Sequence, residues 1–115
     1  MGKNNLAQKH CVPCQGGVPP LADKELQQYV QQLPEGWEVE DTKKLIKTYE
    51  LPGFRANIAF VNQIADIAEE EDHHPDLHIA YNKLKIELWT HKIGGLHEND
   101  FILAAKIGNL YNQLN

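Results

Sequence analysis

The chain of 115 residues is long enough for one domain with a single core. Its 11 basic residues against 16 acidic ones give a net charge of −5, which argues against direct binding to nucleic acid, since that needs a concentrated basic surface. No apolar run approaches the ~20 residues of a membrane span, and Met1 to His10 lack the apolar stretch of a signal peptide, so a cytoplasmic protein with no membrane partner is expected.

Residues 1–20 read as a polar, Gly- and Pro-rich lead-in that is expected to be flexible. It holds both cysteines, Cys11 and Cys14, as a Cys-x-x-Cys pair. Such a pair can be half of a zinc site or a redox dithiol, but no second cysteine pair exists and Gly16-Gly17 follow instead of a helix. An inert tail and a metal or redox role both stay open.

The spacing predicts a helix over Leu21 to Leu33, with Leu26, Tyr29, Val30 and Leu33 on one face and Pro34-Glu35-Gly36 as its stop. Trp37 and Val39 alternate with acids and start a strand, and Leu45 to Leu51 continue as a second. Phe54 to Asp72 is the longest periodic segment. Phe54, Ile58, Val61, Ala65 and Ala68 recur at helical steps, and Phe60, Ile64 and Ile67 add a second stripe. That second stripe fits a subunit interface or a thicker monomer core. Leu77 to Tyr81 and Leu84 to Leu88 alternate as two further strands around a turn near Asn82. Glu98 to Leu114 close the chain as a helix with a stripe of Leu103, Ile107, Leu110 and Leu114.

The order is α-β-β-α-β-β-α. Short links between strands imply antiparallel pairing, so an α+β, two-layer fold is expected: a four-stranded antiparallel sheet with helices packed on one face.

Five histidines, His73, His74, His78, His91 and His97, crowd into one window. Imidazole gives and takes protons near neutral pH, and it also binds metals. The His-Glu-x-x-His zinc helix is absent. From the residues alone, proton transfer, metal binding and solvated histidines at a helix end all stand.

The run Glu69-Glu70-Glu71-Asp72-His73-His74-Pro75, then Tyr81-Asn82-Lys83, Thr90-His91, Gly95-Leu96 and Asp100, resembles the signature of the pterin-4a-carbinolamine dehydratase family. Several spacings coincide without a gap from residue 69 to residue 100. The resemblance implies that residues 21–115 form a dehydratase-like domain with a pterin as its small-molecule substrate. It implies dehydration of 4a-hydroxytetrahydropterin by histidine acid–base chemistry, in tetrahydrobiopterin recycling or a related hydroxylase pathway, without metal or cofactor. His73, His74, His91 and Asp100 match the catalytic positions; Glu69, Asp72, His74 and Thr90 match positions around the substrate. Asp100 is expected to hold the tautomer of His91. A homodimer or homotetramer is also implied. Some members act as dimerisation cofactors, so an interaction module is the competing reading, with Ile64 and Ile67 as its surface. His97 departs from the Ser or Thr common in the family: either Asn99 caps the last helix or His97 takes a local role.

Overall fold

The computed structural model describes residues 6–11 and 19–114. Its elements are α1 (Asp23–Val30), β1 (Glu38–Glu40), β2 (Lys44–Glu50), α2 (Phe54–Glu71), β3 (Asp76–Ala80), β4 (Lys83–Leu88) and α3 (Glu98–Gln113), with 3₁₀ turns at Leu6–Gln8 and His91–Ile93. The four strands form one antiparallel sheet in the order β1-β2-β4-β3. The expected α+β architecture is therefore present. No described helix is long and apolar enough to cross a membrane.

Alternation along the strands decides which face is covered. Leu45, Tyr49, Leu84, Ile86 and Leu88 point into the core, while Thr48, Lys83 and Lys85 lie exposed on the other face. Phe60 and Ile64 of α2 and Phe101, Leu103 and Ile107 of α3 complete the core. Burying a side chain of this size contributes about 1.5–3 kcal/mol.

Three elements differ from the sequence reading. The first helix is shorter than Leu21–Leu33: after Val30 the chain tightens through Gln32 N–H to Tyr29 and Leu33 N–H to Val30, since Pro34 bars Leu33 from helical geometry. On α2 the core face is Asn57, Phe60, Ile64, Ala68 and Glu71, so Phe60 and Ile64 of the second stripe are buried together with Ala68 of the first, and Ile67 is half-buried. Phe54, from the first stripe, is half exposed. Two overlapping stripes at helical spacing cannot be ranked by period alone. Buried Asn57 belongs to the core because its Nδ2 donates to the Tyr81 and Lys83 carbonyls, clamping the β3–β4 turn. Finally, α3 is buried around most of its circumference from Asn99 to Gly108, more than one stripe requires, because the Leu6–Gln8 turn packs on it.

Candidate active site

The site lies where the C-terminus of α2, the start of β3, the end of β4 and the N-terminus of α3 meet. A cleft of about 630 Å³ opens there, a volume suited to a small molecule.

The end of α2 places the first histidines. Asp72 adopts a left-handed conformation, φ 53° and ψ 42°, and the His73 N–H closes back on the Ala68 carbonyl. This is the chain reversal that usually ends a helix at Gly or Asn, and Asp tolerates it better than most residues. The reversal carries His73 off the helix toward α3. Pro75 then disfavours helical geometry at His74, which lies between α2 and β3.

The N-terminus of α3 supplies the partner. Asp100 is fully buried. One of its oxygens accepts from His73 Nε2 at 2.6 Å; the other accepts from Thr90 Oγ1 at 2.9 Å and from the His97 backbone N–H at 3.0 Å. A single carboxylate thus ties α2, the loop after β4 and α3 together. Its charge also sits at the helix end that favours anions. With Nε2–H of His73 committed to Asp100, Nδ1 is the nitrogen left to exchange a proton with a ligand.

The pairing of Asp100 with His91 expected from sequence is not what the fold makes. The Asp100 carboxylate engages His73, Thr90 and His97, and His91 instead stacks on Trp89 with ring centroids 3.9 Å apart and planes 28° apart. Trp89 is tethered in turn by its Nε1–H to Asp76 at 3.4 Å. The loop carrying His91 is closed by a Thr90–Gly95 bridge, with Gly94 left-handed at φ 65°. Gly95 is required there: a Cβ would meet the Pro20 ring at 2.8 Å.

His97 caps α3 itself. Its Nδ1 accepts from the Asn99 N–H at 3.0 Å, and Asp100 completes a reciprocal capping box. Of the two alternatives the sequence left, the local role for His97 is the one realised. Asp100 both caps the helix and holds a histidine.

Asp72, His73, His74, Thr90 and His91 line the cleft. Asp100 lies beneath it. Glu69 does not line it: its carboxylate accepts from His74 Nε2 at 2.7 Å on the exposed surface. Among the described residues, no group of three or more His, Cys, Asp or Glu side chains is arranged to hold a metal ion.

Two lining residues carry weight that sequence reasoning did not assign. Glu71, at the end of α2, is buried, and its carboxylate accepts from the Cys11 backbone N–H at 2.7 Å and from His10 at 2.9 Å, with Lys106 at 3.6 Å. Burial pushes that carboxyl upward, but the Cys11 N–H, His10 and Lys106 outweigh it and hold it below the ordinary value. The signal existed in the sequence: Phe60, Ile64, Ala68 and Glu71 continue one core stripe into the acidic run. Cys11 is the other. Burial, with the Glu71 and Asp100 carboxylates nearby, pushes its thiol up to about 12, so at neutral pH it is not a thiolate ready to bind metal or attack. Cys14 lies outside the described residues.

Comparison with known proteins identifies the family. A family model described as pterin 4 alpha carbinolamine dehydratase matches residues 19–110. A relative in Rickettsia canadensis, assigned as a pterin-4-alpha-carbinolamine dehydratase, is 51% identical over 102 residues, covering 89% of this chain and 94% of its own. One in Rubrobacter xylanophilus with the same assignment is 47% identical, covering 93% and 99%. Among solved structures, a transcriptional coactivator/pterin dehydratase from Brucella melitensis superposes with a TM-score of 0.75 at 29% identity, covering 79% of this chain and 97% of that one. A pterin dehydratase-like protein identified as a RuBisCO assembly factor in the alpha-carboxysome shares the fold, with a TM-score of 0.57 at 20% identity, covering 66% of this chain and 89% of that one. Family model, relatives and fold agree: the chain belongs to the pterin 4 alpha carbinolamine dehydratase family.

Proposed function

We propose that this enzyme dehydrates 4a-hydroxytetrahydropterin to quinonoid dihydropterin by metal-free acid–base catalysis in the cleft between His73 and His91. The observation that carries this reading is the buried carboxylate–imidazole pair at the cleft floor, His73 with Asp100 at 2.6 Å. Hydroxide leaves poorly, so an acid protonates the C4a hydroxyl. The C4a–O bond breaks, water departs, and the N5 lone pair forms the C4a=N5 bond. A base then removes the N5 proton.

The geometry favours His73 as that base. When it takes a proton, the Asp100 carboxylate lies beside the new imidazolium, as in other carboxylate-supported histidines. His91, stacked on Trp89 at the cleft wall, is the matching acid. His74 and Asp72 orient the pterin; Glu69 acts only through His74, and Thr90 through Asp100. One acid and one base at roughly 10²–10⁴-fold each account for about 3–5 kcal/mol apiece. The reaction serves tetrahydropterin recycling in the cytoplasm. The test is the dehydration rate of 4a-hydroxytetrahydropterin with and without EDTA, read as appearance of the quinonoid product. Acceleration that EDTA leaves intact supports the reading; a rate equal to the uncatalysed one sinks it.

Assembly into a homodimer or homotetramer belongs to the same proposal. β3 is an edge strand, and Ile79 on it is 44% exposed. An interaction function built on Ile64 is not available, because Ile64 is fully buried in the core.

A further inference from the structure

We propose that the segment Leu6–Cys11 is a fixed strap that places Cys11 in the wall of the pterin cleft, held there by Glu71 as its positioning residue. The proposal rests on the dehydratase reading above and extends it to residues ahead of 19, where the family model begins.

Four attachments hold the strap. Leu6 is buried in the core at 1% exposure. Lys106 Nζ of α3 donates to the Ala7 carbonyl at 2.9 Å, and Lys9 pairs with Glu98 at 2.7 Å. The buried Glu71 carboxylate accepts the Cys11 N–H at 2.7 Å. The last of these is decisive. A carboxylate withdrawn from water is costly unless its oxygens are engaged, and among the described residues two of the three groups that engage this one, Cys11 N–H and His10, come from the strap. Without the strap, Lys106, at 3.6 Å, is the one group among the described residues that Glu71 would keep.

The position of Glu71 makes this a matter of function as well as stability. It stands two residues before His73, on the turn that aims that histidine. The strap ends with Cys11 lining the cleft beside His73 and Asn99, its Sγ 3.6 Å from the Asn99 carbonyl. A protonated thiol is a small, polarisable surface. It suits contact with the flat face or edge of a pterin better than proton transfer. Cys11 therefore sets the shape of the cleft, and Glu71 sets where Cys11 stands.

The experiment uses the full chain with Cys14→Ser, so that Cys11 is the sole thiol. Iodoacetamide labelling of Cys11 is followed by mass spectrometry, with and without saturating 7,8-dihydrobiopterin, and dehydratase KM and kcat are measured alongside. Bound pterin is expected to slow labelling at least about fivefold, since a cleft of this kind covers most of a small ligand. Glu71→Ala is expected to speed labelling about tenfold and raise KM about five- to tenfold with a smaller fall in kcat, and Glu71→Gln, which keeps an oxygen for the Cys11 N–H, to recover part of both the labelling and the KM change. Should Glu71→Ala fail to fold, Cys11→Phe, which intrudes into the cleft, gives the same KM reading. An active enzyme whose labelling rate ignores the pterin overturns the strap wall and leaves the dehydratase standing. A chain that neither dehydrates nor is protected overturns both.

Discussion

Two neighbouring histidines make the same bond and stand in opposite surroundings. His73 meets Asp100 at 2.6 Å with side chains 13% and 0% exposed; His74 meets Glu69 at 2.7 Å with side chains 55% and 79% exposed. Distance does not separate them; water does. In the first pair the carboxylate also holds Thr90 and the start of α3, so it cannot swing away. In the second, solvent screens the charges and both side chains can leave at little cost. Sequence adjacency thus hides a difference in constraint: one histidine is held by a buried partner and the other is free to move. A third pair lies between these extremes, with His10 77% exposed and Glu71 2% exposed.

Replacement of Asp100 breaks the comparison most severely. Asp100→Asn keeps an oxygen for His73 Nε2–H but turns an amide NH₂ toward the His97 N–H, where donor meets donor, while the Thr90 hydroxyl must reverse from donor to acceptor. We expect kcat to fall about 10²–10³-fold. Stability should drop by about 2–4 kcal/mol, seen as a Tm lower by roughly 10–20 °C. Wild-type kinetics and melting in this variant would show that Asp100 does not organise the site.

The mixed pair is broken by acid. The folded-state carboxyl of Glu71 lies below its ordinary 4.5, as does that of Glu87, which burial raises but Lys44, His78 and Lys85 hold down. A depressed carboxylate contributes stability that is complete above the unfolded value and lost as pH falls through the folded one. Urea midpoints should therefore be flat from about pH 7 to about pH 5 and decline below about pH 4.5. Glu71→Gln should melt earlier than wild type at neutral pH, with the gap closing by about pH 3. A gap that stays constant with pH would mean that the Glu71 charge contributes nothing.

The exposed pair should yield the smallest effect. Glu69→Gln is expected to change stability by less than about 1 kcal/mol and KM by less than about threefold. A loss comparable to that of Asp100→Asn would erase the distinction between the two pairs.

Much of this was legible in the sequence, for physical reasons. Alternation at Leu84, Ile86 and Leu88 and the turn residues between the strands dictate an antiparallel sheet with one covered face. Asp72-His73-His74-Pro75 marks a helix end by composition alone. The partner of His73 was not legible. His91 and Asp100 are close in sequence, but Thr90 and Gly95 close the intervening loop on itself, and His91 turns onto Trp89 while Asp100 faces α2. Such a choice depends on side-chain direction across elements, which spacing does not encode. Leu6 likewise reads as one apolar residue in a polar lead-in, and only the nearly all-round burial of α3 reveals what it covers.

The most direct test of the account is single-turnover dehydration of 4a-hydroxytetrahydropterin by wild type, His73→Ala and His74→Ala, each in EDTA. Fast turnover is expected for wild type, with a loss of about 10²–10⁴-fold for His73→Ala and about tenfold or less for His74→Ala, chiefly in KM. Equal losses in the two variants, or a His73→Ala enzyme as fast as wild type, would contradict the assignment of the chemistry to the buried pair.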